Sequence, residues 1–400
     1  MSDLHSPESA PATAASISPL LSTDAVLGRG PDAAVPAHYG SPLREQRRLL
    51  DRRALVDLGQ LELLEVRGAD ARSWLTTTTT QILEGTPVGS ASSVGVLSPQ
   101  GRVEHLAAAV VIDEDAVLLI LDAGCRAGLR RYLEMMRFAA RVELTDRDDL
   151  RVLGGLAPAG EVLDGIGLPE PVAVWSDDWP EVAPGGVAYG PPPEDPAGTV
   201  LTVLDRAALE ALPWQSGQLA GMSSFEALRI ADHRARATHE VDDRSIPHEL
   251  DLLRTTVHTT KGCYRGQETV AKVLNLGQPP RRLVMLHLDG SQDIPLDRGG
   301  EVRLGGPDGK VVGTVTSTGL HADLGPIALA VVRRNVPLDA ALSVSGPPVQ
   351  APDPDGTGAD AAAMTGAANG DGAAELWVDA TQEPIVLPRD HGERPKTAKL

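Results

Sequence analysis

The stretch Lys261-Gly262-Cys263-Tyr264-Arg265-Gly266-Gln267-Glu268 decides how the rest of this chain is interpreted. It places one thiol between two cations and between two glycines, and it ends in an amide and a carboxylate. A packed core disfavours this composition, because glycine costs backbone entropy and charged groups avoid burial unless they are paired. The stretch therefore predicts a loop whose backbone closely approaches another group.

The charge around this stretch is opposite to that of the whole chain. The 400 residues carry 55 acidic and 36 basic side chains, for a formal net charge of −19. Such a balance disfavours nonspecific binding to nucleic acid or to anionic membranes, which both require cation density. Between residues 261 and 282 the cations Lys261, Arg265, Lys272, Arg281 and Arg282 face only the carboxylate of Glu268. This local inversion indicates an anionic ligand near the stretch.

The positions of cysteine and histidine residues indicate the redox compartment of the protein and bear on whether it binds a metal ion. Cys125 and Cys263 are the only cysteines and lie far apart, which fits a reducing compartment rather than a disulfide framework. The histidines after residue 230 lack the short spacings of common zinc sites, so we assign no metal. No cationic leader with an apolar core and no run of about 18 apolar residues is present. We therefore expect a soluble cytoplasmic protein without a membrane segment.

The middle of the chain alternates strand and helix signals, which indicates an α+β fold. Residues 93–97 and 103–112 predict a hairpin around the turn 99–102, and 117–121 predicts a buried strand. Apolar residues at helical spacing predict an amphipathic helix over 126–137. Trp175 stands out because aromatics make up only 3% of the chain. It could stack on a planar heterocycle or anchor a core, and the sequence leaves both uses open.

The two ends and the C-terminal region have different characters. Short strands at 282–288, 300–304, 311–318 and 327–332, separated by turns, predict a small antiparallel β-barrel. By composition, residues 1–40 predict a disordered leader and 346–400 a largely disordered tail. The resulting division is the leader, an α+β region of two intertwined modules over 41–280, the barrel over 281–345, and the tail.

The opening motif, read with its surroundings, resembles that of the YgfZ-type folate-binding proteins, relatives of the aminomethyltransferase (T-protein) of the glycine cleavage system. Those proteins carry Lys-Gly-Cys-aromatic-X-Gly-Gln-Glu, and residues 261–268 fit every defined position. Looser similarity includes residues 225–230 and 312–317, and it extends over about residues 53–344. The resemblance implies an aminomethyltransferase-like fold of three modules in a ring that ends in the barrel.

The resemblance also implies a ligand, a client class and a set of site residues. It implies tetrahydrofolate or a one-carbon derivative near the centre of the ring, and support for the assembly or repair of iron–sulfur enzymes, including one that modifies transfer RNA. Direct binding of nucleic acid is not expected, because the global charge opposes it. The implied catalytic residues are Cys263, as the functional thiol, and Lys261. The implied ligand-binding residues are Arg229, Tyr264, Arg265, Gly266, Gln267 and Glu268, to which we add Trp175 as a stacking candidate.

One departure from the family pattern bears on activity. Aminomethyltransferases carry two consecutive aspartates after the hairpin turn, one of which serves in methylene transfer, whereas this chain has Glu104 and His105. An extra methylene moves a carboxylate by roughly an ångström, and misplacement on that scale can cost about 10²-fold in rate. We therefore expect an accessory folate-binding protein without classical aminomethyltransferase turnover. A folate-dependent one-carbon transferase or demethylase that uses Glu104 is the alternative.

The chemistry of the motif has two interpretations. Nearby Lys261 and Arg265 would favour the thiolate of Cys263, which is the reactive form. Alternatively, a glycine-bounded turn bridges two domains, with Cys263 buried and Lys261 paired with Glu268.

Overall fold

The computed structural model describes residue 20 and residues 25–176, 178–291, 298–346 and 376–388. The strands are β1 (Val26–Leu27), β2 (Pro36–His38), β3 (Leu55–Asp57), β4 (Glu62–Arg67), β5 (Ala91–Leu97), β6 (Val103–Asp113), β7 (Ala116–Leu121), β8 (Glu143–Asp146), β9 (Leu150–Gly155), β10 (Ala173–Trp175), β11 (Val200–Asp205), β12 (Leu219–Ala220), β13 (Arg281–Leu288), β14 (Glu301–Leu304), β15 (Val311–His321), β16 (Gly325–Arg333), β17 (Leu342–Ser345) and β18 (Trp377–Pro384). The α-helices are α1 (Pro42–Leu50), α2 (Ala71–Thr78), α3 (Arg126–Met135), α4 (Ala159–Val162), α5 (Arg206–Glu210), α6 (Met222–Ala231), α7 (Ala237–Glu240) and α8 (Gln267–Leu276), and short 3-10 helices cover Gly30–Asp32 and Pro247–Leu250. The mixture confirms the predicted α+β class.

One five-stranded sheet has the order β5-β6-β7-β4-β8 and is antiparallel throughout. The predicted hairpin is its β5–β6 pair, and the predicted buried strand is β7, all of whose residues are buried. Helices α2 and α3 cover one face, where Leu75 and Leu133 pack with Leu119 in an aliphatic core. Helix α3 ends two residues before the predicted end at Arg137.

A second five-stranded sheet has the order β10-β11-β9-β3-β12 and draws its strands from distant parts of the chain. Its β3–β12 pair is parallel, whereas the other pairs are antiparallel. Residues of both sheets meet in one core, where Val152 and Ile120 pack together with Phe225 of α6. Helix α6 therefore lies where the two sheets face each other.

The C-terminal region is a closed antiparallel barrel with the order β13-β16-β15-β14-β17-β18, as the turn-separated strands predicted. The expected boundary at residue 345 needs correction, because β18 comes from the segment interpreted as tail. Strand β18 pairs with both β13 and β17. Closing the barrel in this way removes exposed strand edges, which explains why a strand is recruited across a long insertion. The other predicted tail residues lie outside the described part, apart from Gly346, Leu376 and residues 385–388.

The predicted leader also needs correction where it is described. Strands β1 and β2 pair with each other. Asp32 lies between these two strands in the chain, and its side chain is buried. The Asp32 carboxylate accepts hydrogen bonds from Arg236 at 2.7 and 2.9 Å. A buried ion pair thus anchors a segment whose composition alone indicated disorder. Residues 1–19 and 21–24 of this prediction lie outside the described residues.

Threonine and serine side chains stabilise the ends of two helices. Helix α2 includes part of a threonine run and ends at Thr78, and the hydroxyls of Thr78 and Thr79 donate to carbonyls four residues earlier. Helix α6 begins at Met222, and the Ser224 hydroxyl donates to the carbonyl of Pro42. Within the described ranges, no helix is long and apolar enough to cross a membrane.

Candidate functional site

Lys261, the first residue of the motif, is anchored to the C-terminal end of α2. Its ammonium donates to the carbonyls of Thr76, Thr79 and Gln81, the last two at 2.6 and 3.0 Å. It also lies 5.4 Å from the centre of the Tyr264 ring. Burial lowers the pKa of Lys261 to about 8, so the side chain stays protonated at neutral pH. A cation beside unpaired helix carbonyls is a favourable arrangement, and it gives Lys261 a structural task.

The second glycine of the motif, Gly266, lies against the β5–β6 turn. It adopts a φ of 83°, and an added Cβ atom would lie 2.5 Å from the Ser98 carbonyl oxygen. On the turn, a Cβ atom on Gly101 would lie 2.7 Å from the Cβ of Thr269. Both positions therefore require glycine for close backbone approach. Beside them, the Gln267 side-chain oxygen accepts the Tyr264 backbone N–H at 3.3 Å.

Cys263 is exposed, so the interpretation in which a buried Cys263 bridges two domains does not describe this loop. The guanidinium of Arg265 forms an ion pair with Glu104 at 2.7 Å and lies 5.6 Å from the Tyr132 ring. Lys261 and Arg265 thus both have other partners, and in the described part of the chain no hydrogen bond joins either to Cys263. Glu268 is exposed in the first turn of α8 and forms no ion pair with Lys261 among the described residues.

Two arginines that follow the motif are engaged in contacts within the fold. Arg281 forms ion pairs with Asp242 at 2.6 Å and with Glu249 at 2.8 Å. Arg282 is buried at the barrel end, where it donates to the Val336 carbonyl. These contacts remove two of the five cations that suggested an anionic ligand next to the motif.

A central cavity of about 190 Å³ lies between the two sheets and α6. Apolar side chains from β6, β7 and α6 form much of its wall, including Leu106, Ile120 and Phe225. Polar and aromatic side chains complete the lining: Gln60, Ser93, Asp122, Trp175, Trp179, Thr199, Glu226, Arg229, Arg234, Arg236, Asp251, Thr255 and Thr256. An apolar cavity with a few convergent polar groups is the usual form of a small-molecule site.

A buried ion network forms the polar wall of this cavity. Glu226 accepts from Arg229 at 2.8 Å and from Arg236 at 3.2 Å. Burial alone would raise the pKa of Glu226, but the charges of Arg229 and Arg236 outweigh it and hold the pKa at about 2. Arg236 also binds Asp122 at 2.8 Å, and Arg229 binds Glu240 at 3.1 Å. The cavity wall therefore carries an ionised Glu226 at neutral pH, held between two arginines.

Two tryptophans and an arginine form the aromatic side of the cavity. The guanidinium of Arg234 lies 5.3 Å from the Trp175 ring and 5.4 Å from the Trp179 ring. The indole N–H of Trp175 donates to the Ser92 carbonyl at 2.9 Å, and that of Trp179 donates to the Asp232 carbonyl at 2.9 Å. Both rings are thereby fixed in orientation, as a stacking surface requires.

The structure divides the predicted site residues into two groups. Arg229 and Trp175 line the central cavity, whereas none of residues 261–268 is among its lining residues. Sequence reasoning missed Glu226, Asp122, Arg234 and Arg236. Glu226 could have been predicted from the sequence, because it lies one turn before Arg229 on a mostly apolar helix. Opposite charges at that spacing on a buried helix indicate a buried ion pair.

Within the described ranges, no group of three or more histidine, cysteine, aspartate or glutamate side chains could hold a metal ion.

Comparison with known proteins bears on the fold more than on the chemistry. The chain superposes on the crystal structure of the glycine cleavage system aminomethyltransferase T from Bartonella henselae with a TM-score of 0.64 and 18% identity, over 92% of this chain and 96% of the other. It is 24% identical over 302 residues to a chloroplastic protein of Arabidopsis thaliana that is named as a transferase. That match covers 70% of this chain and 65% of the relative's length. No family model matches the sequence. The fold is therefore that of the aminomethyltransferases.

Proposed function

We propose that this protein binds a reduced folate in the central cavity. The ligand would be tetrahydrofolate or a one-carbon derivative of it, and the cavity would lie at the centre of a ring of three modules. The observation that carries the proposal is the cavity itself, which combines the ionised, largely buried Glu226 with tryptophan faces. Its volume of about 190 Å³ suits a bicyclic ring. Sites for whole drug-sized ligands usually reach about 300 Å³ or more, so the remainder of a folate would extend through the opening.

The lining residues fit the chemistry of a pterin ring. A pterin presents an amino group and ring N–H groups along one edge, and these donors need acceptors when water is excluded. The carboxylates of Glu226 and Asp122 supply such acceptors on the cavity wall. The flat faces of the ring would be covered by apolar and aromatic side chains such as Phe225 and Trp175.

Arg229 acts in this proposal through Glu226 rather than by touching the ligand. Its guanidinium is already shared among Glu226, Glu240, the Ser317 hydroxyl at 2.7 Å and the Arg234 carbonyl. Removing it would leave Glu226 buried with less opposing charge, and the pKa of Glu226 would rise. Arg229 is thus a positioning residue for the pterin-binding carboxylate.

The hairpin position that serves methylene transfer in aminomethyltransferases has a different task here. Glu104 forms an ion pair with Arg265 of the motif, and neither residue lines the central cavity. The geometry therefore favours folate binding without classical aminomethyltransferase turnover. A bound folate would supply a carrier for a one-carbon unit, and the residues described above would bind it and exclude water. A one-carbon transferase remains the alternative, supported by the name of the Arabidopsis relative.

We propose further that the Cys263 thiol acts on a protein client and not on the folate. Cys263 is exposed on a loop that is not part of the cavity lining. An exposed thiol that is accessible to another protein fits the accessory role in iron–sulfur enzyme assembly or repair, and through it in transfer RNA modification, that the family resemblance implies. The client would be an iron–sulfur enzyme or a cluster carrier.

Calorimetric titration with tetrahydrofolate tests the folate proposal. Ala108→Leu adds volume at a lining residue, whereas Ala207→Leu makes the same change at an exposed position of α5 outside the cavity. We expect wild type and Ala207→Leu to bind alike and Ala108→Leu to bind at least about tenfold more weakly, since overpacking costs about 1–3 kcal/mol. Absence of binding to wild type would refute the proposal. For the client role, full restoration of iron–sulfur enzyme activity by Cys263→Ser in a deletion strain would contradict a role for the thiol.

A further inference from the structure

A second pocket, distinct from the central cavity, lies between the barrel and the segment 239–244. Its volume is about 460 Å³. The walls come from β15 and the end of β16 on the barrel side, and from the end of α7 and the polypeptide that follows it on the other side. Four arginines and two carboxylates line it: Arg244, Arg281, Arg298, Arg333, Glu240 and Asp242.

The two carboxylates of this pocket are already occupied by other partners. The carboxylate of Asp242 accepts hydrogen bonds from both terminal nitrogens of Arg281, at 2.6 and 3.0 Å. Glu240 accepts from Arg229 at 3.1 Å and from the Arg236 backbone N–H at 2.8 Å, both in the network of the central cavity. Neither carboxylate is therefore free to neutralise another cation of the pocket.

Two arginines of the pocket, Arg298 and Arg333, have no carboxylate within 4 Å among the described residues. Arg244 differs from them, because it forms long ion pairs with Asp243 at 3.8 Å and with Asp242 at 3.9 Å. Arg298 is nevertheless oriented, since its guanidinium donates to the His239 carbonyl at 3.1 Å. A chain with a net charge of −19 thus places two arginines without a counter-charge, among the residues that the structure describes, around one concavity.

The chemistry of these side chains indicates the class of ligand. Guanidinium groups bind phosphate oxygens through paired hydrogen bonds, and several of them converging on one pocket favour a ligand with adjacent anionic groups. The barrel wall adds apolar surface from Val311 and Val331. We infer that this pocket binds an oligophosphate, either as a free chain or as the phosphate chain of a nucleotide, at a site independent of the folate cavity.

Titration of the full-length protein with sodium tripolyphosphate, without folate and at about 50 mM salt, tests the inference. ATP and adenosine serve as comparison ligands. The double variant Arg298→Gln/Arg333→Gln removes the two arginine charges that have no described carboxylate partner. The matched control is Arg334→Gln, which removes one exposed arginine next to Arg333 that does not line the pocket. Circular dichroism confirms that each variant is folded.

We expect tripolyphosphate and ATP to bind and adenosine not to bind. The double variant should bind at least about tenfold more weakly, since a hydrogen bond to a charged group contributes about 1.5–3 kcal/mol, while Arg334→Gln should match wild type. Raising the salt to about 500 mM should weaken binding further. Tighter binding of ATP than of tripolyphosphate identifies a nucleotide as the occupant, and equal binding identifies a free phosphate chain. No binding to wild type, or equal losses in the double variant and Arg334→Gln, would overturn the inference.

Discussion

Replacing Lys261 by methionine separates a structural role of this residue from a ligand-binding one. Methionine keeps an unbranched apolar side chain but removes the ammonium that donates to the carbonyls of Thr76, Thr79 and Gln81. Hydrogen bonds to a charged group contribute about 1.5–3 kcal/mol each, but the cost of burying the ammonium, which lowers the pKa of Lys261 to about 8, offsets much of their sum. We therefore expect Lys261→Met to lower the local stability of the end of α2 by about 2 kcal/mol.

Hydrogen exchange measured by mass spectrometry reports this local stability directly. A loss of about 2 kcal/mol corresponds to about thirtyfold faster exchange of amides near the end of α2, in peptides that cover residues 71–81. Lys272→Met is the control, because Lys272 is exposed on α8 and surface substitutions usually change stability by less than about 0.5 kcal/mol. Unchanged exchange in these peptides, together with weaker binding of tetrahydrofolate, would refute the structural role and place Lys261 at the ligand.

Three further substitutions test the packing and electrostatics described above. Gly266→Ala should lower the free energy of unfolding by about 2–3 kcal/mol in urea titrations, because φ is 83° and the new Cβ meets a carbonyl oxygen, while Gly262→Ala, with open space around it, should have almost no effect. Burial, and next the charge of Arg265, lower the pKa of His105 to about 4, so below about pH 6.5 the unfolded state gains a proton that the folded state does not. Wild type should therefore lose up to about 2 kcal/mol more stability than His105→Gln between about pH 7 and pH 5, and parallel pH profiles would contradict this. Asp32→Asn should cost about 3 kcal/mol by leaving Arg236 with one fewer counter-charge, and a fully stable variant would show that the N-terminal segment is not anchored there.

The barrel and the first sheet were predictable because their signals are local. Residues 282–288 and 327–332 were predicted from apolar strands between turns, and both lie within barrel strands. Strand β18 was not predictable, because it pairs with β13 across about ninety residues and lies in a segment of disordered-like composition. This segment forms a strand because the barrel closes only when β18 pairs with both β13 and β17.

The candidate site shows the same limit. The composition of residues 261–268 correctly indicated close backbone approach, which the contact between Gly266 and the hairpin turn explains. It could not indicate which group was approached, and the partner of Lys261 is a helix end nearly two hundred residues earlier in the chain. The cavity wall likewise assembles Asp122 and Glu226 from two elements that are distant in sequence. Tertiary contacts of this kind carry no local pattern.

Hydrogen exchange with and without tetrahydrofolate tests most directly where the ligand binds. The proposed site predicts slower exchange in peptides that cover residues 106–108, 120–122 and 225–237, all of which contribute to the central cavity. It predicts no comparable change in residues 261–268, whose side chains do not line that cavity. Protection confined to residues 261–268, with the cavity segments unchanged, would contradict the assignment of the central cavity as the folate site.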